Sequence, residues 1–128
     1  MIKGIGVDTA SIKAIKHYME SASLSGSFIK RTFSQTEQEQ AKDRPRQDEY
    51  FASRFAAKEA VFKALAHILP EKGFDLRIVE TLNHDDGCPY VNVNEKLRPL
   101  LELAGVSTLH ISITSEDDYA TAFVIAEG

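Results

Sequence analysis

The chain has 128 residues, which suits one domain around one modest core. Its content of 43% hydrophobic and 27% charged residues is ordinary for a globular protein, and a net charge of −4 argues against general nucleic-acid binding. The single cysteine, Cys88, excludes an internal disulfide, and no apolar run approaches the roughly 18 residues of a membrane span; with an acid as early as Asp8 a secretory signal is not expected, so the protein is expected to be cytoplasmic.

Residues 2–8 predict a short strand in which Gly4 and Gly6 permit a close backbone approach. Thr9 to Ser11 offers N-cap chemistry, and Ile12, Ile15 and Met19 then recur at helical spacing as far as Glu20. Ser21 to Ser27 reads as a loop. Ser34 with Glu37 has the form of a capping box, so a helix begins after Ser34, and Pro45 interrupts it. A long central helix follows from about Asp48 to Leu69, stopped by Pro70. Phe74, Leu76 and Ile78 alternate with Asp75 and Arg77 as in a strand, and Tyr90 to Val93 completes a hairpin across the turn at Asn83 to Gly87. Leu97 to Leu103 suggests a short helix with Pro99 in its first turn and Gly105 closing it. Leu109 to Thr114 and Tyr119 to Ala126 form a second hairpin. The order favours an α+β fold in which an antiparallel sheet packs against the long central helix and shorter helices, as a single domain over residues 1–128.

The central helix carries an unusual pattern. Phe51, Phe55, Phe62, Leu65 and Leu69 share one face, yet Lys58 falls inside that face and Glu59 lies at its edge. Charges there need partners or bound ions. Lys58, Glu59 and Lys63 lie within two turns and could hold a cation beside an anionic phosphate, or could form a solvated face with a Glu59–Lys63 pair. Asp8 and Glu59, both in apolar context, could bind a hard cation such as magnesium, or could serve as a helix cap and an ion-pair partner. His110 and Ser112 share one face of a strand, where they could bond a phosphate or ribose or simply satisfy each other's neighbours. The histidines and Cys88 have no zinc spacing, and there is no serine triad and no Walker loop. Eight basic or histidine side chains, from Lys13 to Arg46, crowd the first third, which could meet an acidic partner or a phosphate.

Together these segments resemble, almost end to end and in order, the holo-acyl-carrier-protein synthase family of small 4′-phosphopantetheinyl transferases. Gly4-Ile5-Gly6-Val7-Asp8 is similar to the family's opening strand with its metal-binding aspartate. Phe28 to Ser34 with Glu37 resembles F-x-x-R-x-F-T-x-x-E, and Arg54 to Ala60 matches R-F-A-A-K-E-A, with Lys63 at the expected later lysine. Gly87-Cys88-Pro89-Tyr90 resembles G-K-P-Y, and His110 to Thr114 followed by Tyr119-Ala120 resembles the closing H-V-S-I-[ST]-H-T…Y-A segment.

The resemblance implies transfer of 4′-phosphopantetheine from coenzyme A to a serine of an acyl carrier protein or carrier domain, in fatty-acid or polyketide synthesis, releasing adenosine 3′,5′-bisphosphate. It implies that Asp8 and Glu59 bind Mg2+ (Mn2+ being an alternative), with Lys63 and, more weakly, Lys58 as phosphate contacts. Arg54, His110 and Ser112 would contact coenzyme A, and Lys13, Lys16 and Lys30 would dock the acidic carrier protein. It further implies a homotrimer with active sites between subunits. The chain departs from the family at Ser11, where glutamate is frequent, and at Ala14, where arginine is. It also departs at 66–73 in place of a G-T-G loop, at Cys88 and at Ser115. Those departures keep two other readings open: a carrier-protein-binding homologue without turnover, and a magnesium-dependent pyrophosphohydrolase acting on coenzyme A.

Overall fold

The computed structural model describes residues 1–21, 25–71 and 73–128. In chain order it contains β1 (Ile2–Ser11), α1 (Ile12–Glu20), α2 (Ser25–Thr32), α3 (Gln35–Ala41) and α4 (Gln47–Leu65). A 3-10 turn at Leu76–Ile78 precedes β2 (Glu80–Asn83), β3 (Pro89–Asn92), α5 (Arg98–Ala104), β4 (Thr108–Glu116) and β5 (Tyr119–Glu127). The fold is α+β. An antiparallel sheet of order β1-β5-β4 packs against α4, and β2 and β3 form a separate hairpin.

The long helix is not amphipathic. Ala52, Ala56, Ala57, Ala60 and Ala64 are all 0% exposed, and buried positions run almost all the way round it. Small side chains let α4 sink against the sheet, where Gly4 and Gly6 lie beneath it. A Cβ on Gly4 would overlap the carbonyl oxygen of Ala64, and one on Gly6 would overlap that of Ala60. The expected close approach is therefore real, and its partner is the helix backbone itself.

Several boundaries differ from those expected. β1 continues past Asp8 to Ser11, because Thr9, Ala10 and Ser11 still pair with Thr121, Ala120 and Tyr119 of β5. Ser11 then caps α1, its Oγ accepting from the Ala14 amide at 3.1 Å. The expected loop at Ser21 to Ser27 is helical from Ser25 onward, and 22–24 lie outside the described residues. Helix α4 ends at Leu65, not Leu69, as the amides of Ile68 and Leu69 both turn back to the Leu65 carbonyl ahead of Pro70.

The strand expected at Phe74 to Ile78 is a 3-10 turn. Asp75 accepts from the Arg77 amide and also grips its guanidinium, which bends the chain before β2 can begin. The hairpin survives, one strand having moved along to Glu80–Asn83. Three further expectations hold: Ser34 and Glu37 form a full capping box on α3, Gly105 closes α5 in the left-handed region at φ 71°, and the last two strands pair from Thr108 to Glu127. No helix among the described residues is long and apolar enough to cross a membrane.

Candidate functional site

Alternation along β1 turns Gly4, Gly6, Asp8 and Ala10 toward α4 and turns Ile5, Val7 and Thr9 away. The glycine contacts thus hold the strand so close to the helix that Asp8 meets its charged residues. Lys63 Nζ donates to Asp8 Oδ1 at 2.9 Å and to the Val7 carbonyl at 3.1 Å. Glu59, one turn earlier, is half-buried. Burial pushes its carboxyl above the ordinary carboxylate range, the charge on Asp8 pushes it further, and Lys63 opposes both.

The alternative roles for these residues do not form. Ser11, not Asp8, caps α1, and Lys63 pairs with Asp8 while no Glu59–Lys63 ion pair occurs among the described residues. Two carboxylates that repel each other beside a half-exposed ammonium suit a hard divalent cation. Among the described residues no three His, Cys, Asp or Glu side chains are placed to hold a metal ion by themselves. A cation held by Asp8 and Glu59 would therefore keep waters and draw further oxygens from a phosphate ligand, as magnesium does.

Lys58 lies elsewhere, which corrects its expected place among the phosphate contacts. It is 0% exposed and points away from Asp8 into the core. Its three protons go to Glu37 Oε1 at 2.6 Å, Val79 O at 2.5 Å and Leu76 O at 3.0 Å, so it has no donor left. Glu37 is equally buried and also accepts from the amides of Ser34 and Thr81. Burial pulls the lysine down and pushes the glutamate up, and their mutual attraction opposes both shifts. The unexpected charge in the core-facing stripe was a legible signal, but its partner lies 21 positions earlier, in the preceding helix.

Arg54 lies one turn before Lys58 on α4 and is 6% exposed. It donates to Asn83 Oδ1 at the end of β2 and to Ser53 Oγ, and its guanidinium stacks 4.5 Å from the centre of the Tyr50 ring. Among the described residues its Nε has no hydrogen-bond partner, and burial pulls its pKa below the ordinary value. Arg54 lines a cavity of about 380 Å3, together with Arg44, Arg46, Gly87 and Pro89. A buried guanidinium with one unpartnered nitrogen, beside Arg44 and an Arg46 that already pairs with Glu49 at 2.9 Å, makes a cluster that suits an anion. Arg44 and Arg46 stood out in the sequence only as part of a basic run; their convergence on Arg54 depends on the turn at Pro45.

His110 and Ser112 fall on the other face of the sheet. In register, His110 opposes Ile125 and Ser112 opposes Phe123, which in turn oppose the outward-facing Ile5 and Val7. His110 Nε2 lies 2.9 Å from Glu127 Oε1. Within one chain, then, the sheet separates His110 and Ser112 from Asp8, Glu59 and Lys63. That outer face also bears apolar side chains in the open: Ile5 is 61% exposed, Val7 49%, Tyr119 55% and Phe123 42%.

Lys13 and Lys16 are exposed on α1, in loose pairs with Asp118 at 3.5 Å and Glu20 at 3.9 Å. Lys30 is exposed on α2. Between the two helices lies an apolar recess of about 400 Å3, lined by Ala14, Tyr18, Phe28 and Phe55 with Arg31 alongside. The rings of Tyr18 and Phe28 stack at 5.1 Å.

The same arrangement of helix, sheet and hairpin recurs in solved holo-acyl-carrier-protein synthases. The Neisseria meningitidis enzyme superposes with a TM-score of 0.88 at 30% identity, over 100% of both chains. The Chronobacterium ammoniagenes protein, solved as a complex with coenzyme A, superposes at 0.78 with 26% identity, over 97% of this chain and 96% of that one. By sequence, the Clostridium kluyveri holo-[acyl-carrier-protein] synthase is 38% identical over 99% of this chain and 91% of its own length. The 4′-phosphopantetheinyl transferase superfamily model matches residues 4–124, and the chain belongs to that family.

Proposed function

We propose that this protein is a holo-acyl-carrier-protein synthase, moving 4′-phosphopantetheine from coenzyme A to a serine of an apo acyl carrier protein or carrier domain. The observation that carries the reading is the repelling Asp8–Glu59 pair beside Lys63, with an arginine-lined cavity on the same helix. A pyrophosphate carrying a phosphorylated nucleoside needs both halves of that arrangement. Magnesium bound by Asp8 and Glu59, with manganese as the alternative, would supply charge neutralisation for the pyrophosphate oxygens. Lys63 then faces the same oxygens and stabilises charge building on the leaving phosphate. Arg54, Arg44 and Arg46 take the nucleotide end, whose 3′-phosphate meets the guanidinium groups lining the cavity.

In the transfer, the carrier serine oxygen forms a bond to the phosphorus that bears pantetheine. The bond from that phosphorus to the bridging oxygen breaks, the serine proton leaves to a base, and adenosine 3′,5′-bisphosphate departs. The attacking group belongs to the carrier protein, so this chain's task is positioning and charge stabilisation. Lys13, Lys16 and Lys30 fit an acidic carrier protein, and the neighbouring recess between α1 and α2 fits an apolar side chain from it. Because the sheet separates His110 and Ser112 from Asp8, those two residues serve the nucleotide of a neighbouring copy. The bare apolar outer face supports that assembly, read as a homotrimer with sites between subunits. The product serves fatty-acid or polyketide synthesis in the cytoplasm.

The test is intact-mass spectrometry of an apo carrier protein after incubation with this protein, coenzyme A and magnesium. The expected result is a gain of one phosphopantetheine, abolished by a chelator. Bisphosphate release without any gain on the carrier would instead identify a pyrophosphohydrolase. Carrier binding with neither product would identify a non-catalytic homologue.

A further inference from the structure

The charged residues on α4 grip two separate strands of the molecule. Glu59 and Lys63 face β1. Arg54 and Lys58, one turn apart on another side, hold the same neighbouring strand at two points. Lys58 bonds the carbonyl of Val79 at the root of β2, and Arg54 bonds Asn83 at its end. The strand's root is also sealed by Glu37, which accepts from the Thr81 amide, and by Ser34, whose hydroxyl donates to Glu80 at 2.6 Å. Beyond Asn83 the hairpin turn is tied to itself, since Asn83 Nδ2 donates to Gly87 O at 2.7 Å and the His84 amide to Cys88 O at 2.9 Å. A shift at Val79 is therefore carried to Gly87 and Pro89, which line the same cavity as Arg44 and Arg46.

We infer that Lys58 is a positioning residue. Through its buried bonds to Glu37, Leu76 and Val79 it sets the register of the β2–β3 hairpin on α4, and so the width of the arginine-lined cavity that receives the nucleotide end of coenzyme A. This rests on the transferase reading for its substrate and on the hydrogen bonds alone for its mechanics. It also assigns the lysine of the R-F-A-A-K-E-A segment a task different from that of Lys63. Lys63 acts at the pyrophosphate; Lys58 acts on the far end of the ligand without touching it.

The test compares wild type with Lys58→Met and with the double variant Glu37→Met/Lys58→Met. The single variant strands a buried carboxylate and is expected to fold poorly. The double variant removes both charges at similar volume and is expected to stay folded. KM and kcat are measured with coenzyme A and with dephospho-coenzyme A, which lacks the 3′-phosphate, and amide hydrogen exchange is followed across 79–92. In the double variant, KM for coenzyme A should rise roughly tenfold or more while kcat stays within about twofold. KM for dephospho-coenzyme A should barely move, so that discrimination between the two substrates collapses, and the hairpin amides should exchange faster.

Three results would overturn the inference. One is a fall in kcat of similar size with both substrates, which marks a direct phosphate contact. Another is unchanged kinetics in a variant with a lowered Tm, which marks stability alone. The third is unchanged hairpin exchange. If the wild type transfers nothing, the transferase reading fails separately, and the exchange measurement still decides whether Lys58 holds the hairpin.

Discussion

Replacing Gly6 with alanine tests the contact that brings β1 and α4 together. A Cβ at this position would overlap the Ala60 carbonyl oxygen and lie 2.8 Å from the Ala64 amide nitrogen. Ordinary contact begins at roughly 3.5 Å, so the helix or the strand must move by at least about 0.7 Å, and by more at Ala60. The obstacle is backbone on both sides, so no rotamer change relieves it. Overpacking of this kind costs about 1–3 kcal/mol. At roughly 4 °C per kcal/mol for a chain of this size, Tm should fall by about 4–12 °C. The displacement falls between Asp8, two residues along the strand, and Glu59, the residue before Ala60. A misplacement approaching 1 Å at reacting groups costs on the order of 10–100-fold in rate. Scanning calorimetry and the carrier-protein transfer assay measure the two effects in one preparation. A Gly6→Ala protein with wild-type Tm and wild-type turnover would refute the argument that helix–strand proximity builds the site.

Glu59→Gln should abolish magnesium-dependent transfer while leaving the metal-free Tm equal to wild type or higher, because it removes a carboxylate that Asp8 repels; a large loss of metal-free stability would instead mark Glu59 as a structural residue. The pH response of the same group has two opposite signs. Its folded pKa is raised, so its contribution to metal-free stability is fully present below the ordinary value of 4.5 and is lost as pH rises through the folded value. Magnesium affinity, which needs the ionised carboxylate, should weaken as pH falls through that window; titrating Mg2+ at several pH values, alongside thermal melts without metal, checks both trends. Mixing inactive Glu59→Gln and His110→Ala proteins after joint unfolding and refolding should restore roughly a quarter of wild-type activity if each site draws on two chains with statistical pairing. No recovery would place His110 with Glu59 in one chain's site, or outside the site.

Some of the site was legible because its chemistry is local. The Ser34–Glu37 capping box, the glycines of β1 and the lysine in the core-facing stripe of α4 each break a simple pattern visibly, but for Lys58 the sequence marked the position and not the partner. The cap is made within four residues, so sequence alone located it correctly. Alternation failed at Phe74 to Ile78, because the Asp75–Arg77 contact and the claim of Lys58 on two carbonyls there outweigh a strand pattern of five residues. The full length of β1 was hidden for a related reason, as Thr9 to Ser11 extend only because β5 offers a pairing edge.

Legible from the residues alone were the α+β class, the capping box, the last hairpin, a close approach at Gly4 and Gly6, and the family resemblance that singles out Asp8, Glu59 and Lys63. These follow from propensities, caps and spacings that act over a few residues, or from motifs kept in order. Tertiary structure alone decided which charge meets which. Lys58 turned to Glu37 across 21 positions and Lys63 to Asp8 across 55, and the sheet set His110 on the face opposite both. Such pairings depend on side-chain directions and on packed elements distant in sequence, where desolvation makes one partner strongly preferred and no local pattern records which.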